Sequence, residues 1–247
     1  YDDLGRLTSR SYASTTGSTV RKTTYTYVAG GNGSTTNLLA TVNNAGFSGL
    51  TYTYDDMGNI KTIKEGSKTE TYTYDSLGQL TRVDSQKENK SYPYSYDNRG
   101  NITSKKEYAY TTGTLGTATK TVSYAYGNTG WKDLLTSWNG QTLSYDAIGN
   151  PLTWRDGATL TWSKGRQLSS FTRNNQTVSY TYNAEGVRTS KTSNYHTNNY
   201  LLSGGTVVQE NPYTGVVLTY RFDASGARYA VDAEINGTDA VTYWYLY

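Results

Sequence analysis

Cysteine is absent from all 247 residues. Disulfides, thiolate metal sites and cysteine nucleophiles are excluded together, although the absence points to no compartment. Histidine occurs once, at His196, in the polar stretch Ser193-Asn194-Tyr195-His196-Thr197-Asn198-Asn199. A Ser-His-Asp triad would have to use it, and no G-x-S-x-G phrase stands beside it. An enzyme centred on His196 is therefore only a competing reading, and no catalytic residue is assigned. Apolar runs long enough to span a membrane are missing, as is a signal peptide. Only three prolines occur, and no stretch has helical periodicity, which leaves little room for helices. Charge is sparse: charged residues make up 17 % of the chain and the net charge is +3. Arg21-Lys22 and Lys105-Lys106 are the adjacent basic pairs, too little to neutralise a phosphate backbone, so no nucleic-acid partner is expected.

Tyrosine and a recurring phrase fill the space these absences leave. The phrase is an aromatic residue, Asp, two variable residues, Gly, one more residue and an aliphatic. Clear copies are Tyr54-Asp55-Asp56-Met57-Gly58-Asn59-Ile60, Tyr74-Asp75-Ser76-Leu77-Gly78-Gln79-Leu80 and Tyr96-Asp97-Asn98-Arg99-Gly100-Asn101-Ile102. Others start at Tyr1 (with Asp2 and Gly5) and at Tyr145 (with Asp146 and Gly149). Worn copies lie at Trp162, which lacks the Asp, at Tyr182 (Asn183, Gly186) and at Phe222 (Asp223, Gly226). A more divergent unit is read at Tyr126-Gly127-Asn128-Thr129-Gly130. Self-similarity at this period marks a repeat architecture running nearly end to end.

Physically the phrase is a hairpin. Asp at the first turn position accepts backbone N–H bonds, and Gly at the fourth supplies positive φ. Thr-Tyr-Thr-Tyr alternation before the turn, as at 51–54 and 71–74, is a strand signal that separates a Tyr face from a Thr face. Each unit of roughly 20 residues reads as two strands and two turns. The expected fold is all-β: one long antiparallel, curved or spiralling sheet of hairpins. Residues 1–247 are read as a single array, a fragment of a longer polypeptide cut within repeats at both ends, with Thr242–Tyr247 a strand that nothing returns.

A carboxylate in every unit is better explained by turn geometry than by a catalytic pair, which needs two particular residues. The Asp-Asp doublets at 2–3 and 55–56 lack the spacing of an EF-hand, and Gly30-Gly31-Asn32-Gly33 lacks the Asp of a calcium-binding nonapeptide. Neither a metal nor a cofactor is expected. Trp131, Trp138, Trp154 and Trp162 fall close together in sequence. They read as a packing ladder or, alternatively, as a platform on which sugar rings stack. Sequons at Asn32, Asn89, Asn101, Asn175 and Asn236 are what chance gives in a chain rich in Asn, Ser and Thr.

The phrase Tyr-Asp-x-x-Gly-Arg/Asn/Gln-Leu/Ile resembles the YD repeat of the RHS-repeat family, which includes the C subunits of insecticidal toxin complexes and the teneurins. The segment from Tyr126 to Asp133-Leu134-Leu135, leading into Tyr145–Pro151, resembles Gram-positive members. The resemblance implies a hollow β-shell, secreted or on the bacterial surface, that encloses a C-terminal toxin or effector. It makes the rest of the parent RHS protein and its cargo domain the partners. Two further readings stay open: a carbohydrate- or surface-binding adhesin module, and a fibre subunit that self-associates through open strand edges.

Overall fold

The computed structural model describes residues 1–13, 19–238 and 240–245; Leu246 and Tyr247 of the expected terminal strand lie outside them. The chain divides into two compact units, 1–134 and 135–247. Both are built almost wholly of antiparallel strands, as the alternation implies.

The first unit opens with β1 (Ser9–Ala13), β2 (Thr19–Ala29), β3 (Thr35–Asn44), β4 (Leu50–Tyr54) and β5 (Ile60–Glu65). It continues with β6 (Lys68–Tyr74), β7 (Leu80–Ser85), β8 (Lys90–Tyr96), β9 (Ile102–Ala109) and β10 (Lys120–Ala125). In the second unit β11 (Ser137–Trp138) and β12 (Gln141–Thr142) form a short ribbon, followed by β13 (Thr153–Trp154), β14 (Ala158–Ser163) and β15 (Gln167–Arg173). Then come β16 (Gln176–Tyr182), β17 (Arg188–Thr192), β18 (Thr197–Ser203), β19 (Thr206–Tyr213), β20 (Val216–Phe222), β21 (Arg228–Ile235) and β22 (Val241–Trp244). Within each sheet the strands lie in sequence order, so no strand crosses over another between sequence neighbours. Among the described residues helix is confined to single 3₁₀ turns at Gly31–Gly33 and Arg155–Gly157. Among the described residues no helix is long and apolar enough to cross a membrane.

The two faces follow from the alternation. In β4, Tyr52 and Tyr54 are half-buried while Thr51 and Thr53 face solvent. On the Thr face, hydroxyls pair across strands, as Thr53 with Thr62 at 2.7 Å and Thr161 with Ser170 at 2.7 Å. Such cross-strand pairs are the sheet's local cement. A deep apolar core is not built. Among the described residues Val42, Leu143, Ala158, Ala230 and Ala233 are the buried hydrophobics, beside buried polar groups such as Ser85, Ser91 and Asn150. Stability must come largely from neighbour-to-neighbour contacts, as in other repeat arrays.

Alternating strand direction sorts the turns. The Asp-Gly phrases close β4–β5, β6–β7, β8–β9, β16–β17 and β20–β21, at one end of the strands. At the other end lie tight turns such as Gly66-Ser67 between Glu65 and Lys68, and Asn174-Asn175 between Arg173 and Gln176.

Candidate functional site: the stapled turn rim

The phrases that open at Tyr1, Tyr54, Tyr74, Tyr96, Tyr145, Tyr182 and Phe222 fold into the same turn, whereas in the Trp162 phrase the Arg166 N–H donates to the Lys164 carbonyl at 3.2 Å. At Tyr54, the Asp55 N–H donates to the Asn59 carbonyl at 2.9 Å, and the Gly58 N–H donates to the Asp55 carbonyl at 3.0 Å. Gly58 sits at φ +83°, the left-handed region that closes a type I turn into a hairpin. The Asp55 carboxylate ties the loop from within. Its Oδ1 accepts the Met57 N–H at 3.0 Å and the Asn59 N–H at 2.8 Å. The corresponding two amides donate to Asp2, Asp75, Asp97, Asp146 and Asp223. Asn183 keeps only the farther one, from Val187 at 2.9 Å.

The residue after Gly completes the cage. Arg6 Nε donates to Asp2 Oδ2 at 2.7 Å, and the Asn59, Asn101 and Asn150 amides donate to Asp55, Asp97 and Asp146 at 3.0, 3.0 and 2.7 Å. The side-chain bond from Arg6, Asn59 or Asn101 is the chief reason that Asp2, Asp55 and Asp97 ionise below the usual carboxylate value. At Asp146, burial pushes upward, but the Asn150 backbone and side-chain bonds overcome it and the carboxyl is lowered too.

A recurrent irregularity sits beside the turn. Thr53 pairs with Thr62 but Tyr54 pairs with Ile60, leaving Lys61 as an extra residue. The same skip falls at Thr81, Thr103, Ser169, Thr189 and Tyr229. A bulge bends its strand and strengthens the local twist. Here it recurs one residue beyond the phrase in each hairpin.

The aromatic that opens the phrase makes the least expected contact. The Tyr74 hydroxyl donates to the Ile60 carbonyl at 2.9 Å, and Ile60 closes the preceding phrase. Tyr96 reaches Leu80 at 2.7 Å and Tyr126 reaches Ile102 at 3.1 Å. In the second unit Tyr145 reaches Leu135 at 2.6 Å and Tyr182 reaches Leu168 at 3.0 Å. Tyr27 and Tyr54 make equivalent bonds to Leu7 and Leu39, both at 2.9 Å. Where the aromatic is Trp162, its indole N–H takes over, donating to the Pro151 carbonyl at 2.7 Å. Phe222 has no donor. There Arg228, whose guanidinium lies 5.8 Å from the Phe222 ring, donates from Nη2 to the Val207 carbonyl at 3.1 Å. Each turn is thereby stapled to the turn before it.

Side chains also cross between turns. A Cβ on Gly100 would meet Gln79 Nε2 of the previous phrase at 3.1 Å, and one on Gly186 would meet Gln167 Nε2 at 3.2 Å. These glycines answer to their φ and to a neighbour at once.

The tryptophans divide. Trp131 is exposed and belongs to the first unit, where its backbone N–H donates to Asn128 Oδ1 at 2.7 Å. Trp138 and Trp154, in the second unit, share the Arg155 guanidinium, which lies 5.3 and 5.8 Å from their rings. Trp162 is held by its staple. His196 Nε2 lies 2.5 Å from the Asn211 carbonyl. Because a carbonyl only accepts, that nitrogen carries the proton.

A strand ladder with Asp-Gly turns at one end, each stapled to its predecessor, defines a YD-repeat array. The family model of the teneurin YD-shell matches residues 1–129, and the chain belongs to that family. No curated protein matches the chain. Among solved structures, the Photorhabdus luminescens Tc holotoxin pore is similar at 19 % identity and a TM-score of 0.56, covering 91 % of this chain and 12 % of that one. The TcdB2-TccC3-Cdc42 crystal structure is similar at 18 % identity and a TM-score of 0.64, covering 93 % and 14 %. These likenesses show a shared fold. The chain spans about one-seventh or less of the length of the structures it matches.

Proposed function

We propose that the chain is a length of wall in a bacterial RHS-type shell, secreted or surface-exposed, that encloses a C-terminal toxin or effector domain. Its partners in this reading are the remainder of the parent protein and the enclosed cargo. The observation that carries it is the staple series. A single-layer wall has no thick core to lean on, so each hairpin must be fixed to its neighbour, and the staples do this at the phrases that open with Tyr54, Tyr74, Tyr96, Tyr145 and Tyr182. The Asp cages tie the turns from within, and in each unit the recurrent bulges bend the ladder beside the phrase turns, as a curved wall requires. Both features serve shape rather than turnover.

Electron cryomicroscopy of the parent polypeptide tests this. The expected result places residues 1–247 in the wall of a hollow container with density inside, and the cargo resists protease until the wall is opened. A parent in which this segment lies outside any enclosure overturns the proposal.

A further inference from the structure

We propose that the Lys132–Asp133 peptide bond, near the C-terminal end of the first unit, is a processing site for an endoprotease whose acidic specificity pocket takes Lys; the proposal is independent of the wall reading. Residues 126–136 run from β10 to β11 without a strand, and 127–133 are exposed throughout. Exposed stretches of small and polar residues, such as Gly127-Asn128-Thr129-Gly130, are where folded chains are nicked.

Exposure alone does not make a site. The substrate must lie extended in the protease cleft, so the chain has to open locally while the sheet stays closed. A hairpin turn meets that demand poorly, because both of its flanks are paired. Apart from Arg6 and Lys132, every one of the 23 Lys and Arg residues lies in a strand or in a turn that joins two paired strands. Arg6 is held within a caged turn by Asp2, Thr35 and Thr36. Lys132 is the basic residue that neither restraint covers.

The bonds around Lys132 are mostly local. Asn128 Oδ1 accepts the Gly130 N–H at 3.0 Å and the Trp131 N–H at 2.7 Å. The Leu134 N–H donates to the Trp131 carbonyl at 3.2 Å, which places Lys132 and Asp133 at the centre of a single turn. Asn101 Nδ2 reaches Asp133 Oδ1 at 3.4 Å, beyond the usual hydrogen-bond range. Opening is bounded on either side, by the staple from Tyr126 to Ile102 and by the Tyr145 hydroxyl on the Leu135 carbonyl. In the reaction water adds across the bond. Its oxygen joins the Lys132 carbonyl carbon, the C–N bond breaks, and the Asp133 nitrogen takes the proton and leaves as an amine. A carboxylate at the base of the protease pocket is the partner the Lys132 ammonium requires.

Limited trypsin digestion of the folded 247-residue chain, read by mass spectrometry, tests this. The first products are expected to be 1–132 and 133–247. Lys132→Gln is expected to slow the first cut by about tenfold or more and Lys132→Arg to keep it, while Arg99→Gln and Lys164→Gln change it by less than about twofold. In the urea-unfolded chain the preference for Lys132 is expected to vanish, since there every basic residue is open. A first cut at a hairpin residue such as Lys87, Arg99 or Lys164, an unchanged rate in Lys132→Gln, or the same preference in the unfolded chain overturns the proposal.

Discussion

At the scale of the residue, the choice of Tyr over Phe is the informative one. Packing alone scarcely distinguishes the two rings, yet the chain has 26 Tyr and 3 Phe. At seven of the tyrosines, Tyr27, Tyr54, Tyr74, Tyr96, Tyr126, Tyr145 and Tyr182, the hydroxyl reaches back to a carbonyl that no Phe could bond. Trp162 keeps the role with an indole N–H, and Arg228 supplies it where Phe222 cannot. Tyr74→Phe removes one staple and leaves the ring in place. We expect a loss of about 1 kcal/mol by urea denaturation, the usual net worth of such a bond; an unchanged midpoint would count against the hydroxyl. Gly58 isolates a different effect. A Cβ there meets nothing within 4 Å, so Gly58→Ala measures only the left-handed backbone. Its expected cost is about 1 kcal/mol, and a neutral result would mean that the turn is free to relax.

At the scale of the element, the Asp-Gly turn works through ionised carboxylates. The folded values of Asp2, Asp55, Asp97 and Asp146 lie below 3.8, the value each would have in an unfolded chain. The folded state therefore binds fewer protons in that window. The contribution of these groups is complete above the unfolded value and is lost as pH falls through the lower folded values. The urea midpoint is expected to hold steady down to about pH 5 and to drop below about pH 4. Changing Asp55 and Asp97 to Asn, the residue found at Asn183, should blunt that drop; an identical acid profile in the double variant argues that other groups control it. The hairpins were legible in the sequence because turn geometry is local. Asp55 and Asn59 are four residues apart, and Gly58 meets a demand that spacing alone reveals. The staples were not legible. The partner of Tyr96 lies 16 residues back, that of Tyr126 lies 24 back and that of Tyr145 lies 10 back. No fixed spacing marks them, and the bond depends on where the bulge turns the ring. The surplus of Tyr over Phe was the one available signal.

At the scale of the whole molecule, each unit is a series of neighbours rather than a body around a core. Damage should then stay local, spreading to adjoining hairpins and fading beyond them. Native-state hydrogen exchange on Tyr96→Phe is the most direct test. Its hydroxyl joins the phrase at 96–102 to the phrase closed by Leu80. We expect faster exchange in β6 to β9 and unchanged protection in β16 to β21. Uniform loss of protection across the chain, or no loss beside Leu80, would contradict the stapled-series account.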